Sequence, residues 1–232
     1  MKTKHIALIT ARGGSKGLPR KNVLPVNGAP LIGWTIQAAL QCTDIGRVFV
    51  STDDSEIAAV SVEYGAEIIQ RPDELASDTA SSIDVVAHAI NWLEDHQIPC
   101  SKMTLLQPTS PLRTSRHLQE AIDLFNIKNA QFVISVFEPS HTPIKSYIER
   151  EDGSIAGLYN DEAPYTRRQD LPRAFQPNGA IYAFSVEEFK RCKHFPRKGV
   201  FPYVMSEVDS ADVDTLNDLR VVEQRLKELN ND

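Results

Sequence analysis

Short apolar runs recur along the chain, separated by amphipathic stretches. Ile6-Ala7-Leu8-Ile9, Val48-Phe49-Val50, residues 67–70, Met103-Thr104-Leu105-Leu106 and residues 132–136 read as buried strands. Between the first two, Leu31, Ile32, Trp34, Ile36, Ala38, Ala39 and Leu40 follow a helical spacing behind Pro30, whose fixed φ suits a first helical position. Helical patterns also cover 55–64, with Gly65 placed to cap the C-terminus, and 82–96 and 115–125. Strand–helix alternation of this kind predicts an α/β fold, a three-layer, Rossmann-like, mostly parallel sheet with helices on both faces. Such sheets bind ligands beyond the C-terminal ends of their strands. Polar clusters follow Ile9, Val50, Ile69 and Leu106, so all four should meet along one edge.

The alternation breaks between 140 and 176. Residues 146–150 and 154–159 read as a β-hairpin around Asp152-Gly153, with half-polar faces and no helix to cover them. Open strand edges are usually covered or paired, and a subunit contact is the natural cover here. The sheet resumes at 178–183, followed by a helix at 186–192, an edge strand at 203–205 and a closing helix over 215–229. Residues 1–139 and 177–232 are thus expected to form one α/β domain, and 140–176 a small protruding hairpin insertion for dimerisation.

Composition narrows the partners. A chain of 232 residues fits one large α/β domain. No apolar run reaches membrane-spanning length and no signal-peptide pattern opens the chain, so a cytoplasmic protein without a membrane partner is expected. A net charge of −6 argues against nucleic acid as a partner. Cys42, Cys100 and Cys192 are far apart and suit reduced thiols, and the six histidines show no metal-ligand spacing.

Against this acidic background one stretch stands out. Ala11-Arg12-Gly13-Gly14-Ser15-Lys16-Gly17-Leu18-Pro19-Arg20-Lys21-Asn22 packs three glycines and four cations into twelve positions directly after the first strand. Glycines let backbone N–H groups approach a ligand, and the cations supply a positive field. The spacing is neither that of a P-loop nor that of a dinucleotide fold, so from residue types alone the stretch is a phosphate cradle or a solvated turn. Asp212-Val213-Asp214 is similarly open. Two carboxylates at i and i+2 of an extended segment point the same way and suit a hard cation, but Asp214 also precedes a helix and could cap it.

From residue 6 to about residue 219 the chain resembles the acylneuraminate (CMP-sialic acid) cytidylyltransferases. The match is carried by the glycine-basic loop, by Arg71-Pro72-Asp73-Glu74-Leu75-Ala76-Ser77-Asp78-Thr79-Ala80-Ser81-Ser82, by Leu105-Leu106-Gln107-Pro108-Thr109-Ser110-Pro111-Leu112-Arg113 and by Asp212-Val213-Asp214. Segments 141–145 and 167–172 add to it. The resemblance implies transfer of CMP from CTP to a nonulosonic acid of the N-acetylneuraminic or legionaminic type, with release of pyrophosphate, as a step of surface polysaccharide biosynthesis. It implies nucleotide contacts from Arg12, Gly13, Ser15, Asn22, Arg71, Ala80 and Ser82. Sugar contacts would come from Gln107, Lys145, Arg167 and Gln176, catalytic charge from Arg12, Lys21 and Arg167, and Mg²⁺ ligation from Asp212 and Asp214. A homodimer is implied as well.

The residue types fit these roles. An amide such as Gln107 donates and accepts at once, and two prolines stiffen the turn that presents it. The serine-rich approach to residue 82 also fits an N-cap, a reading compatible with base binding. One position departs from the pattern: many sialic-acid members carry an arginine just before Pro-Asn-Gly-Ala, where this chain has Gln176, which points toward a legionaminic-type acid. Remaining alternatives are a cytidylyltransferase for another ulosonic acid such as Kdo, a nucleotide-sugar glycosyltransferase, and a non-catalytic nucleotide-binding protein. No residue stands out as a general base.

Overall fold

The computed structural model describes residues 4–15, 17–77 and 79–229; Lys16 of the basic loop and Asp78 of the second motif lie outside the described residues. The chain enters through β1 (His5–Thr10) and makes a small ribbon, β2 (Pro25–Val26) and β3 (Ala29–Pro30), before α1 (Leu31–Leu40). Next come β4 (Ile45–Thr52), α2 (Ser55–Glu63), β5 (Glu67–Gln70), α3 (Ser82–Asp95), β6 (Lys102–Leu106), α4 (Ser115–Ile127) and β7 (Phe132–Phe137). A hairpin of β8 (Tyr147–Glu149) and β9 (Ile155–Gly157) interrupts, and β10 (Gln176–Ser185), α5 (Val186–Cys192), β11 (Val200–Val204) and α6 (Leu216–Leu229) complete the fold.

Seven strands form one sheet in the order β11-β7-β10-β6-β1-β4-β5. All pairings are parallel except those of β10, which runs antiparallel to both β6 and β7. The period of two along β1 explains the three layers. Ala7 and Ile9 face one layer with Ile32 and Ile36 of α1, Ile57 of α2 and Leu118 and Ile122 of α4. Ile6 and Leu8 face the other, with Val86, Ile90 and Leu93 of α3 and Phe189 of α5. Leu8 and Ile9 are wholly buried, which contributes about 1.5–3 kcal/mol each. A third cluster joins Leu18 of the basic loop and Leu112 to Val213, Val222 and Leu226, so α6 fastens the Asp212–Asp214 segment against that loop.

Several boundaries moved for physical reasons. Pro30 is the residue before α1, because it pairs with Pro25 in the small ribbon. The edge strand is Val200–Val204 and includes Pro202, which an edge tolerates since a proline donates no ladder bond. Thr215 precedes α6 as a cap: Asp218 N donates to its Oγ1 at 3.3 Å, and Thr215 N donates back to Asp218 Oδ2 at 2.8 Å. The hairpin turns at Gly153, φ +79°, and forms a two-stranded sheet of its own. Tyr147, Ile148, Ile155, Leu158, Tyr159 and Tyr165 are exposed on and around it. Among the described residues no helix is long and apolar enough to cross a membrane.

Candidate active site

A cleft of about 350 Å³ opens beyond the C-terminal ends of β1, β5 and β6. Arg12, Gly14, Ser15, Lys21 and Asn22 line it from the loop after β1. Arg71, Ala80 and Ser82 come from the segment after β5, Gln107 and Thr109 from the tip of β6, and Asp212 and Asp214 from the approach to α6. Three of the four expected polar clusters therefore converge. The fourth, Ser51 to Asp54 after β4, stands behind the cleft and holds its walls. Ser51 O and Oγ accept from Arg71 at 2.6 and 3.2 Å, and Asp53 Oδ1 accepts from Gly13 N at 3.1 Å.

The loop is fixed from several sides. Asn22 Nδ2 donates to Arg12 O at 3.1 Å, closing the loop across its base. Gly13 does not line the cleft, since its amide is taken by Asp53; a Cβ there would come within 2.8 Å of Asp54 Oδ2. Arg20, expected to add to the positive field, turns away and pairs with Asp54 (Nη1 to Oδ2 2.5 Å, Nη2 to Oδ1 3.0 Å) and with Glu56. Lys21 points into the cleft and lies 2.9 Å from Asp214 Oδ1.

Ser81 N-caps α3 by accepting from Asp84 N at 3.1 Å, while its neighbours Ala80 and Ser82 line the cleft, so both roles read into that segment coexist. Arg71 is buried, and desolvation lowers its pKa to about 10, opposed by Asp53 and helped by Arg12. It stays charged at neutral pH. Burial also raises the Asp212 carboxyl; a bond from Thr109 opposes this, and the nearby charge of Asp214 adds to it.

Two residues carried no role in the sequence reading. Arg113 is wholly buried and Nη1 donates both to Gln107 O at 3.2 Å and to Ala180 O at 3.1 Å, joining the tip of β6 to β10. Desolvation lowers its pKa to about 9. Asn178 accepts from Ser135 Oγ at 2.6 Å and donates to Ser210 Oγ at 2.9 Å, which ties β10 to the segment leading into Asp212. In the sequence Arg113 is marked only as the end of a matched motif and Asn178 only as the place where the sheet resumes, and neither residue type announces a bridging role in the core.

Three sugar-site candidates stand outside this cleft of their own chain. Lys145 ends a short 3-10 turn and is half-buried. Arg167 is exposed and donates to Asp170 at 2.8 Å. Gln176 is exposed at the start of β10.

Mg²⁺ fits the chemistry present in part. Asp212 and Asp214 offer oxygen ligands on one wall of the cleft, and their mutual repulsion favours a cation between them. Among the described residues no third acidic or imidazole ligand joins them, so phosphate oxygens and water would complete the shell, as this ion usually requires.

The sequence profile described as cytidylyltransferase matches residues 6–210. An N-acylneuraminate cytidylyltransferase of Escherichia coli is 37% identical over 223 residues, covering 95% of this chain and 52% of that protein. The post-translational flagellin modification protein B of Campylobacter coli is 31% identical over 228 residues, covering 97% of this chain and 96% of that protein. A CMP:2-keto-3-deoxy-manno-octonic acid synthetase solved with CTP superposes with a TM-score of 0.73 at 19% identity, over 97% of this chain and 99% of the other, a likeness of fold. The chain spans about half the length of the first curated relatives it matches. With the family profile spanning nearly all of it, this chain belongs to the cytidylyltransferase family.

Proposed function

We propose that the chain transfers CMP from CTP to the anomeric hydroxyl of a nonulosonic acid and releases pyrophosphate. The observation that carries this reading is the convergence of Arg12, Lys21 and Arg71 with Asp212 and Asp214 in one cleft, beside the Gln107 amide. The acid's anomeric oxygen attacks the α-phosphorus in line; the new O–P bond forms as the bond to the β-phosphate bridging oxygen breaks, and the hydroxyl proton leaves to solvent. Such chemistry is mostly positioning and charge neutralisation. Arg12 and Lys21 hold the triphosphate, while Ala80 and Ser82 admit and read the base. Asp212 and Asp214 hold Mg²⁺, which when bound neutralises phosphate charge. Lys21 already lines the cleft, paired with Asp214, and turns from that carboxylate to the phosphates when the nucleotide binds.

Gln107 faces the acid from the tip of β6. Lys145, Arg167 and Gln176 belong to a second wall that a partner subunit brings, and the exposed apolar residues of the hairpin region are the surface it covers. The protein works as a homodimer in the cytoplasm, where its three free cysteines stay reduced. The neutral Gln176 favours a legionaminic-type acid, whose tail is less polar than that of N-acetylneuraminic acid.

A pyrophosphate-release assay with CTP or UTP and a panel of nonulosonic acids tests the reading. Release should require both substrates and Mg²⁺, with CTP preferred about 10⁴-fold because a pocket built to bond the base rejects one that leaves its groups unpaired. Equal rates with UTP, or no dependence on the acid, would overturn it. A tenfold preference for N-acetylneuraminic acid would overturn the sugar assignment alone.

A further inference from the structure

We infer that Arg20 is a positioning residue that clamps the phosphate-binding loop to the head of α2, and that it does not touch the nucleotide; this rests on the reading that the cleft takes CTP. Arg20 sits where the loop ends, with φ 58°, the left-handed region that costs a side-chain-bearing residue and that glycine adopts freely. A glycine would make the same turn without strain, so the side chain is what the position requires. That side chain grips Asp54 through two nitrogens and Glu56 through one.

Asp54 is a firm anchor. Its Oδ1 also accepts from Ile57 N at 2.9 Å as the N-cap of α2, and the Arg20 guanidinium holds its carboxyl below the usual carboxylate range. The adjacent Asp53 accepts from Gly13 N. Both ends of the loop are thus tied to two consecutive acids at the exit of β4, and Gly13 lies so close on Asp54 that no side chain fits between them. Arg20 is absent from the cleft lining, while the next residue, Lys21, faces into it. The clamp has a second effect: two carboxylates beside a triphosphate site would repel the ligand, and Arg20 offsets the charge of one of them.

Arg20→Gly separates positioning from folding, since it removes the grip and relieves the backbone. It should leave the melting temperature unchanged or higher, yet raise the KM for CTP about threefold to tenfold, the range of a geometrically good ion-pair network, with kcat affected less. Asp54→Asn with Glu56→Gln should give the same rise, because asparagine still caps α2, and combining all three changes should add nothing further. Arg20→Lys should recover part of the loss. If Arg20 instead contacts the triphosphate, freeing it with Asp54→Asn and Glu56→Gln would leave the KM unchanged or lower it, and the inference falls.

Hydrogen exchange in the nucleotide-free protein gives a readout independent of CTP. The amides of Lys21, Val23 and Leu24, bonded to Leu18 O, Arg20 O and Lys21 O, should exchange faster in Arg20→Gly. Unchanged exchange overturns the clamp. Faster exchange in a protein whose wild type binds no CTP supports the clamp and overturns the nucleotide reading.

Discussion

Lys21 Nζ and Asp214 Oδ1 lie 2.9 Å apart although 193 residues separate them in the chain. The lysine leaves the loop after β1 and the aspartate precedes α6, so the contact joins the two ends of the fold across the cleft. The pair is lopsided: 13% of the lysine side chain is exposed against 71% of the aspartate. An exposed partner adds at most about 1 kcal/mol to stability, which makes the arrangement a matter of where charges stand. Lys21 fills part of the place that a cation held by Asp212 and Asp214 would claim, and binding of a metal–nucleotide complex would draw the ammonium toward phosphate.

Asp212→Asn and Asp214→Asn should therefore each lower turnover with Mg²⁺ by about 100-fold or more, on the scale of removing one well-placed electrostatic contact in an active site. The circular dichroism spectrum and melting temperature should stay close to wild type. Full activity in either variant would remove that residue from the metal site.

Gly179 and Gln107 make a second prediction. Gly179 has φ +77°, and a Cβ there would meet Gln107 Oε1 at 2.6 Å. Gly179→Ala should push the amide out of place and raise the KM for the acid about tenfold, the worth of one good hydrogen bond, while the KM for CTP moves little. Gln107→Ala should match it, and the double variant should be no worse than Gln107→Ala alone. An unchanged KM for the acid in Gly179→Ala would show that Gln107 does not face this substrate.

His5 predicts the acid limb of stability. It is buried beside Thr104, with ring Nδ1 2.9 Å from Thr104 Oγ1, and desolvation with the nearby Lys102 charge lowers its pKa from 6.5 to about 3. Below pH 6.5 the unfolded chain takes up a proton that the folded one refuses, so this contribution is complete above 6.5 and is lost as the pH falls toward 3. The slope approaches about 1.4 kcal/mol per pH unit for one proton. Urea unfolding at pH 7, 6 and 5 should show that slope in wild type, reduced by one proton in His5→Gln. Parallel curves for the two proteins would refute the assignment.

The layers of the fold were legible because β1, β4, β6 and β7 are buried on both faces and read as short continuous apolar runs. Their loops were legible because glycine and charge in one stretch have few other uses. What the sequence concealed was direction. Arg20 and Lys21 are adjacent and alike in charge, yet one faces the cleft and the other faces α2. The left-handed turn at Arg20 decides this, and no residue pattern announces it. Asp53 and Asp54 read as ligand-facing because they follow a strand, whereas they hold the loop that lines the cleft. Arg113 was hidden for the opposite reason: a guanidinium is expected at the surface, whereas here it bridges two carbonyls in the core.

The separation between the cleft and Lys145, Arg167 and Gln176 yields the last prediction. If a partner's hairpin region completes each site, Arg167→Ala and Asp212→Asn damage different walls contributed by different chains. Either variant alone should be at least about 100-fold impaired, since each site lacks one charged group acting on the reacting phosphates or the acid. Mixing the two in equal amounts under conditions that exchange subunits gives mixed dimers for half of the population. In each of these one site carries both lesions and the other carries none. Activity should return to about a quarter of wild type, as the symmetry of a two-fold dimer dictates. Sites built from a single chain would show no recovery, because every one of them would keep its own lesion. Sedimentation of the mixture as a dimer, together with the returned activity, would place Arg167 in the neighbouring subunit's site; a monomer would exclude it.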